Sequence, residues 1–412
     1  MSGAAPWTLE RAESHLLSLE LFGMRFGLER MRRLLTVLGS PQEAFRAVHV
    51  VGTNGKSSTV RMAAALLEAH GVRTGSFLSP HLTSFTERIR VGDADLAPDA
   101  FAAAVQRAAA AAAKVDRTLS DGDRVTQFEL VTAAALAEFT ARGVEVAVVE
   151  AGLGGRHDAT NVLGAEVVVL TNVGLEHTRW LGPTIRDIAR EKLAVVRRGA
   201  TLVIGELEPD AMEEARATGG RIVAAEPEPA AAVLRGYQRT NFAVAATAVR
   251  ERLGAALDPA RVAEVAARVQ VPGRLQTVAE APLTIFDGAH NPSGVEALAA
   301  ALPGAIGDRP VVAVVSILDD KDATGMLRTL LPHIARAVFT LAPNPRALPP
   351  ATLASLAGQL SGPPSEIVPD PRAALERARE AAGADGAVLV TGSIYLVADL
   401  LSEPGTRKAS AL

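Results

Sequence analysis

The sequence predicts a two-domain α/β protein: a larger N-terminal domain with a mostly parallel sheet, and a smaller C-terminal domain with a Rossmann-like α/β fold. Apolar runs typical of strands alternate with helical patterns along the chain. The chain has 412 residues, which is too many for one typical domain. A third observation is the stretch AVHVVGTNGKSSTV, in which a strand-like run, a glycine-rich turn and the start of an Ala/Leu-rich helix follow one another.

The composition excludes several classes of protein. With 42 basic and 46 acidic residues the formal net charge is −4, so no basic surplus points to nucleic acid or anionic membranes. There is no cysteine, so a metal ion must be held by oxygen and nitrogen ligands, which favours Mg²⁺. The charged residues Glu10, Arg11 and Glu13 argue against a signal peptide. We therefore expect a soluble, cytoplasmic protein whose partners are small molecules.

The strands predicted in the N-terminal domain are apolar runs without alternation, as expected for parallel strands buried on both faces. They are AVHVVG (47–52), EVAVVEAG (145–152), AEVVVLTNV (165–173) and TLVIGE (201–206). Helical patterns occupy 57–70, 128–142 and 184–196, and Thr184 is placed to cap the last of these helices. The segment FAAAVQRAAAAAAKV also predicts a helix.

A second series of strands begins late in the chain. Two helical runs, RTNFAVAATAVRERLG and DPARVAEVAARV, precede the motif VPGRLQ. The runs LTIFDGAHNP, VVAVVSILDDKD, AVFTLAPNPR and AVLVTGSIYLVADLL follow and predict strands that alternate with helices. We therefore predict one domain at residues 1–277 and a second at residues 278–412.

The segment GTNGKSS has the features of a phosphate-binding loop, so the N-terminal domain is predicted to be a P-loop ATPase domain. The standard signature would place its first glycine at position 50, where this chain has Val50. Gly52 and Gly55 let backbone N–H groups approach phosphate oxygens, and the following helix directs its positive dipole end at them. Lys56 then neutralises phosphate charge, and the pair Ser57–Ser58 supplies hydroxyls for phosphate or a metal-bound water. A Gly-Lys turn without a chemical role is the alternative.

Two residues at strand ends are candidate metal ligands. Glu150 ends an apolar strand, and ligands of parallel sheets bind at the carboxyl ends of strands. The glycines within 152–155 allow a ligand to approach the backbone closely. His177 follows another apolar strand, beside Glu176. A surface carboxylate and a solvated histidine are the alternatives, and the phosphate loop in the same sheet favours a metal role for Glu150.

The motif SFLSPHLTSFTERIRV does not reveal a role by itself. Ser79 and His81 follow a short strand, and Arg88 and Arg90 are able to meet anionic groups. A polar surface loop explains this pattern better when it is considered alone. Lys192 lies inside a predicted helix and, on the same grounds, is a solvated residue.

The motif FDGAHNPSG in the second domain places polar residues between a strand and a helix. Asp287 and His290 end the strand, and Asn291 or Ser293 is placed to cap the helix. An aspartate at this point is typical of contact with ribose or a purine, and a capping cluster is the alternative. No motif of a Ser-His-Asp hydrolase or of an NAD-binding fold is present.

Taken in order, the motifs resemble those of the folylpolyglutamate synthase/dihydrofolate synthase family, within the Mur ligase superfamily. They are GTNGKSS, SPHLTSFTERIRV, FELVTA, EAGLGGRHDATN, GLEHTRWLGPTIRDIAREK, PGRLQ, FDGAHNPSG, DDKDATGML and TGSIYLVADLL. The shortened phosphate loop is that superfamily's variant. The resemblance implies an ATP- and Mg²⁺-dependent ligase that adds L-glutamate to dihydropteroate or to the γ-carboxyl of folates through an acyl phosphate.

The resemblance also implies roles for individual residues. Catalytic roles fall to Lys56, Glu150, His177 and Lys192. The ATP-binding positions are Thr53, Asn54, Gly55, Lys56, Ser57, Ser58, Asn241, Arg274 and Asp287, with His290 beside them. The Mg²⁺ ligands match Ser79, Glu150 and His177. The positions that contact the pterin-bearing substrate match Gly27, Leu28, Thr126, Gln127, Phe128, Glu129, His157, Asp158 and Ala159. Lys192 matches a lysine that is carbamylated in this family.

The sequence departs from the family pattern at three points. The usual GKG[ST] is GKSS, which leaves open which serine faces the phosphates. The usual GLDH is GLEH, so Glu176 is one methylene longer, and this shifts contacts around the metal ligands. The usual EKAG is EKLA, which changes the surroundings of Lys192.

Three alternatives stay open at this stage. A peptidoglycan Mur ligase would carry a UDP-binding domain before the phosphate loop, and about 50 residues are too few for a typical domain of ~100. A P-loop switch ATPase would not need PGRLQ and FDGAHNPSG. A folylpolyglutamate synthase that rejects dihydropteroate has the same motifs. The superfamily resemblance also implies a monomer that closes over ATP.

Overall fold

The protein, a computed structural model described here for residues 5–19, 27–120 and 122–403, is built around two β-sheets. The strands are β1 (Arg46–Val51), β2 (Thr74–Phe77), β3 (Ile89–Val91), β4 (Ala94–Asp95), β5 (Val146–Glu150), β6 (Val167–Leu170), β7 (Thr201–Ile204), β8 (Arg221–Ala224), β9 (Gln276–Glu280), β10 (Leu283–Phe286), β11 (Val311–Val315), β12 (Arg336–Phe339), β13 (Ser365–Ile367) and β14 (Ala387–Thr391).

Helices connect most of these strands and cover both faces of each sheet. They are α1 (Leu9–Ser18), α2 (Glu29–Val37), α3 (Lys56–Ala69), α4 (Pro98–Asp116), α5 (Gln127–Ala141), α6 (Thr178–Leu181), α7 (Ile185–Leu193), α8 (Pro209–Ala217), α9 (Tyr237–Leu253), α10 (Pro259–Arg268), α11 (Pro292–Ile306), α12 (Ala323–Leu330), α13 (Pro350–Gln359), α14 (Pro371–Ala382) and α15 (Ile394–Leu401). None of the described helices is both long enough and apolar enough to cross a lipid bilayer.

The first sheet has eight strands in the order β4-β3-β2-β5-β1-β6-β7-β8. Its strands are parallel except for β3 and β4, which form an antiparallel edge. β1 lies between β5 and β6, and its register pairs Val50 with Glu150 and Val51 with Leu170. The loops after β1, β5 and β6 therefore leave the sheet at the same edge, which is where open α/β sheets bind ligands.

Two apolar layers enclose this sheet. One contains Phe77, Phe101 and Phe139, from β2, α4 and α5. The other contains Leu66 and Phe242, from α3 and α9. Because both faces of β1 and β5 are buried, their side chains form continuous apolar runs rather than an alternating pattern, which is why the sequence revealed them.

The second sheet has six strands in the order β13-β12-β11-β14-β10-β9, parallel except for the edge strand β9. It has its own cores on both faces. The two-domain α/β fold and the mostly parallel first sheet are thus confirmed. β9 already belongs to the second sheet, and a division between residues 277 and 278 remains our proposal.

The predicted capping of α7 is also observed, since the Thr184 hydroxyl accepts a hydrogen bond from the Asp187 N–H. The helix ends at Leu193 rather than at residue 196. The Val196 N–H bonds to the Leu193 carbonyl, three residues back, so the chain closes a tighter turn here.

A close contact in the first core gives a stability prediction. A Cβ added to Gly75 in β2 would lie 2.6 Å from Cδ1 of the fully buried Phe139. We expect Gly75→Ala to lower the free energy of unfolding by about 1–3 kcal/mol, because a packed ring must move. Gly358 in α13 is exposed with no atom within 4 Å, so the control Gly358→Ala should raise it by up to ~1 kcal/mol. The urea midpoints of both variants are compared with that of the wild type. A midpoint of Gly75→Ala equal to that of Gly358→Ala would contradict the packing argument.

Candidate active site

A cavity of about 1500 Å³ lies where the two sheets face each other. One wall consists of the loops that follow β1, β2, β5 and β6. The opposite wall contains Arg274 and Asp287, segment 289–294, and Lys321. Most of the predicted site residues line this one cavity, so the fold brings together motifs far apart in the sequence.

The phosphate-type loop after β1 is fixed by close contacts that only glycine permits. Gly55 has φ +82° just before α3, and a Cβ there would lie 2.4 Å from Oδ1 of Asn241. A Cβ on Gly52 would lie 1.9 Å from Oγ1 of Thr171. The Thr53 hydroxyl accepts a hydrogen bond from the Gly174 N–H at 3.0 Å. The loop is therefore held against the end of β6 and against α9, with the N-terminus of α3 open to the cavity.

Two lysine ammonium groups converge on this loop. Nζ of Lys56 donates to the carbonyl oxygens of Gly52 and Thr53, each at 3.1 Å. Nζ of the buried Lys192 donates to the same Gly52 oxygen at 2.8 Å. Burial, with the charge of Lys56 as a second cause, lowers the pKa of Lys192 to about 7. Lys192 is therefore buried in the cation-rich part of the site and is not the solvated residue that its helix alone suggested.

Glu150 is a buried carboxylate at the end of β5. Its Oε1 accepts a hydrogen bond from the Ser57 hydroxyl at 3.0 Å, and its Oε2 accepts one from the Ser79 N–H at 3.2 Å. Burial raises the pKa of Glu150 to about 6, although Lys56 opposes this shift. Ser58 is buried and Ser57 points toward Glu150, so Ser57 is the serine that meets the predicted metal ligands.

His177 stands at the other side of this group, with a left-handed backbone (φ +52°) and a side chain 42% exposed. Desolvation inside the cavity lowers its pKa to about 4; Glu176 opposes this shift, while Lys321, Lys56 and Lys192 add to it. Its imidazole is therefore neutral and able to donate a lone pair to a metal ion at neutral pH.

The oxygen and nitrogen donors of Ser79, Glu150 and His177 suit a hard cation that keeps several of its waters, such as Mg²⁺. Among the described residues no three His, Asp or Glu side chains converge as a ready-made cluster. A buried carboxylate with a raised pKa would be favoured in its charged form by a cation beside it. The donor set therefore fits a divalent ion shared with phosphate oxygens.

Polar contacts join the phosphate loop to the second domain. Nδ2 of Asn54 donates to Oδ1 of Asn291 at 3.2 Å and to the Ser293 hydroxyl at 3.0 Å. Asn291 returns a hydrogen bond to Oδ1 of Asn54 at 3.1 Å, and it also caps α11. The predicted capping cluster therefore exists, and its residues also contact the loop.

A second junction surrounds Glu176, one residue before His177. Its Oε1 lies 3.3 Å from Nε2 of His290 and 3.3 Å from Nζ of Lys321, both from the second domain. Burial raises the pKa of Glu176, but the hydrogen bond with His290 and the charge of Lys321 outweigh this effect and hold it well below its ordinary value. The longer Glu176 side chain thus connects the loop of the predicted metal ligand His177 with the second domain.

Asp287 is buried, and its carboxylate is largely engaged by the protein. The Leu275 and Ala289 N–H groups each donate to it at 2.9 Å, and the Tyr237 hydroxyl donates a further hydrogen bond. Burial raises the pKa of Asp287, and Arg274 opposes this shift. The structure places Asp287 and Arg274 in the cavity wall, where Asp287 also shapes the backbone around it.

Asn241 lies on α9 against the phosphate loop. It is buried, donates to Oε1 of Gln238 at 3.2 Å, and limits position 55 to glycine. Its amide lines the cavity together with the loop residues.

Most of the predicted substrate positions line the same cavity. Thr126 and Glu129 form a reciprocal cap at the start of α5, and Arg30 pairs with Glu129 at 3.2 Å and with Asp123 at 3.4 Å. This charge network holds the first turn of α5 against α2.

The remaining substrate positions have mixed outcomes. Gln127, Phe128 and the segment 157–159 line the cavity. Gly27 and Leu28 do not line it, and α2 reaches the cavity through Arg30 instead. Their assignment stays a prediction.

A buried chain of hydrogen bonds sets the loop after β5. The Thr160 hydroxyl donates to Oδ1 of Asp158, and Oδ2 of Asp158 accepts from the Leu153 N–H at 2.8 Å. Nε2 of the fully buried His49 lies 2.8 Å from the Thr160 hydroxyl. Burial, with Arg197 as a second cause, lowers the pKa of His49 to about 3, so this histidine is neutral.

Several cavity residues were missed by the sequence reasoning: Arg30, Asn172, Trp180, Tyr237, Lys321 and Arg346. Lys321 lies in the quoted motif DDKDATGML, which was a usable signal. Tyr237 and Arg30 lie in helices with no motif of their own, so only the fold reveals them.

Two protein-family models match this chain, one in the region of each sheet. Residues 50–250 match the Mur ligase middle domain, and residues 273–394 match the domain described as Mur ligase, glutamate ligase domain.

Individual proteins match over nearly the whole chain. A dihydrofolate synthase/folylpolyglutamate synthase of Mycobacterium tuberculosis is 36% identical, over 82% of this chain and 78% of its own length. The structure of M. tuberculosis folylpolyglutamate synthase complexed with ADP has a TM-score of 0.88 and 32% identity, covering 98% of this chain and 99% of that one. The bifunctional Yersinia pestis enzyme with Mn, AMPPNP and L-glutamate bound has a TM-score of 0.83 and 28% identity, covering 97% and 99%.

The buried His49 gives a pH prediction. Its folded-state pKa of about 3 lies below the ordinary 6.5, so the unfolded chain takes up the proton first as pH falls. The stabilisation is complete above about pH 6.5 and is lost progressively toward pH 3. Between pH 6 and 4, the unfolding free energy of the wild type should fall about 1.4 kcal/mol per pH unit more steeply than that of His49→Gln.

Urea unfolding at pH 7, 6, 5 and 4 measures this difference. The control variant His333→Gln changes an exposed histidine. Its unfolding free energy should depend on pH as steeply as that of the wild type. Parallel curves for the wild type and His49→Gln would show that His49 is not the group responsible.

Proposed function

The chain belongs to the dihydrofolate synthase/folylpolyglutamate synthase family of Mur ligases, and we propose that it adds L-glutamate both to dihydropteroate and to the γ-carboxyl of reduced folates. It is an ATP-dependent ligase that uses a divalent metal ion. The observation that carries the choice of acceptors is one cavity lined both by the cationic phosphate loop and by the positions 126–129 and 157–159.

We assign the triphosphate of ATP to the loop Thr53–Lys56 and the N-terminus of α3. The backbone N–H groups and the helix dipole attract phosphate oxygens, and Lys56 is able to exchange its loop carbonyls for phosphate oxygens. Asn241, Arg274, Asp287 and His290 complete the nucleotide site from α9 and the second domain.

Ser79, Glu150 and His177 would hold Mg²⁺, with Ser57 hydrogen-bonded to Glu150 beside them. A bound divalent cation supplies positive charge that offsets repulsion between a carboxylate and a triphosphate. Lys56 adds a second positive charge at the same place.

Lys192 is proposed to carry a carbamate. Carbamylation requires a neutral amine, and a pKa of about 7 leaves a large neutral fraction at physiological pH. A carbamate would replace the buried ammonium beside Lys56 with an anion beside the metal. This removes the repulsion between two cations that share the Gly52 oxygen.

The reaction follows from these charges. A carboxylate oxygen of the acceptor attacks the γ-phosphorus of ATP, the bond to the bridging oxygen breaks, and ADP leaves. The amine of glutamate then attacks the acyl-phosphate carbonyl, loses a proton, and expels phosphate to leave an amide. The role of the protein is to position these anions and to neutralise their charge.

The acceptor is proposed to lie with its pterin toward Phe128 and the segment 157–159, and its carboxylate toward Lys56. Phe128 offers an aromatic surface in the wall, and Asp158 fixes the loop through Thr160. Since both walls of the cavity come from one polypeptide, we propose that a monomer is catalytically complete.

The assay offers ATP and glutamate with dihydropteroate, with a reduced folate, or with neither. We expect ADP release to depend on an acceptor, and both acceptors to give glutamylated products. Product from the folate alone would limit the enzyme to folylpolyglutamate synthase activity. ATP turnover that ignores both acceptors would indicate a switch ATPase.

Removing the positive charge of Lys56 tests the assignment of the ATP triphosphate to this loop. Lys56→Ala should lower kcat by about 10²–10³-fold, because a positive charge at the transferred phosphate is removed. Lys114→Ala, which removes an exposed lysine from α4, is the matched control and should leave kcat unchanged. Steady-state ADP release measures both, and near-normal kcat in Lys56→Ala would refute the assignment.

Neutralising Glu150 tests the metal site. Glu150→Gln keeps the shape and should raise the Mg²⁺ concentration for half-maximal activity by about tenfold or more. Glu264→Gln changes an exposed carboxylate on α10 and serves as the control. A Mg²⁺ titration at saturating ATP is the measurement, and an unchanged midpoint would remove Glu150 from the metal site.

A further inference from the structure

A second cavity, of about 680 Å³, lies behind the active site. The two cavities share the segment 79–88 as a wall. Ser79, Pro80 and Arg88 line the active-site cavity, whereas Leu82–Ser84, Thr86 and Glu87 line the second one. No step of the ligase reaction uses the second cavity.

Arg61 on α3 is the residue of this cavity that calls for an explanation. Its side chain is partly buried, and the described part of the protein gives its guanidinium no hydrogen bond or ion pair. Burial lowers the pKa of Arg61, and the nearby Arg90 adds to this effect. Its nitrogens are not among the described side-chain atoms that are buried without a partner, so these donors are open to the cavity and available to a ligand.

The neighbouring acids are engaged elsewhere. Asp95 pairs with Arg90. Glu87 accepts hydrogen bonds from the N–H groups of Leu82 at 2.9 Å, Thr83 at 2.7 Å and Ser84 at 2.9 Å. These contacts fix both carboxylates and leave the Arg61 donors for a group from outside the chain.

One side of the cavity wall is apolar. Ala64 and Ala65 on α3 and Val265 and Val269 at α10 face it, together with Leu401. A ligand here would meet the unpaired donors of Arg61 next to this apolar side, whereas the other charged residues, such as Arg90 and Asp95, pair with each other.

We propose that this cavity binds a small organic monocarboxylate, whose carboxylate is held by Arg61 and whose apolar body packs between α3 and α10. A planar carboxylate matches the two parallel N–H donors of a guanidinium. Asp93, Asp95 and Glu87 also line the cavity, so a doubly charged phosphate would be repelled. The volume is in the range that encloses a ligand of this size.

The test uses benzoate as the probe, titrated calorimetrically into the full chain without ATP or acceptor. We expect saturable binding that Arg61→Met weakens at least about tenfold, because the charge-assisted pair is lost. Arg268→Met removes an exposed arginine of the same cavity that lies near Asp93 and Glu264, and it should change the affinity less than about twofold. Val269→Phe, which fills the apolar wall and keeps Arg61, should also weaken binding.

Thermal unfolding of each variant shows whether it is folded. If Arg61→Met does not fold, the weakened benzoate binding expected for Val269→Phe still tests the proposal. The absence of saturable benzoate binding would overturn the proposal, as would equal affinity in the wild type and both cavity variants. Displacement by equimolar inorganic phosphate would also overturn it, and so would loss of binding when AMPPNP fills the active site. Because no catalysis is measured, these outcomes are independent of the acceptor assay.

Discussion

The carbonyl oxygen of Gly52 accepts hydrogen bonds from two lysines, and the chemistry of the site depends on this arrangement. The charged Lys56 and the buried Lys192, which is partly neutral at physiological pH, meet at this oxygen. The effects of burial are visible around it, since the pKa of Lys192 falls to about 7 and that of His177 to about 4. In the proposed complex, the triphosphate offsets the charge of Lys56, and a carbamate on Lys192 offsets that of the divalent cation.

The site is also divided between two domains that have separate cores. Asn54 contacts Asn291 and Ser293, while Glu176 contacts His290 and Lys321. The short segment 290–293 therefore touches both the phosphate loop and the loop of the proposed metal ligand His177. Its contacts join the proposed nucleotide site to the second domain.

The sequence predicted what is encoded locally: buried strands such as β1 and β5, the glycine-lysine loop, and the Thr184 cap. It did not specify short, partly exposed edge strands such as β8 and β13, because three or four half-exposed residues give no long buried apolar run. It also missed Tyr237 and Arg30, whose roles arise from packing between helices distant in the chain. The hydrophobic periodicity of α7 could not predict that Lys192 is buried, since a charged residue in an amphipathic helix normally faces water.

The contact between Asn54 and the start of α11 has a consequence for how such an enzyme diversifies. Each sheet encloses its own core, so the C-terminal half is a physically separable module. An exchanged module would keep these contacts only if it presented an amide and a hydroxyl at the positions of Asn291 and Ser293. Recombination between relatives would therefore preserve the junction most readily where both partners carry this short polar signature.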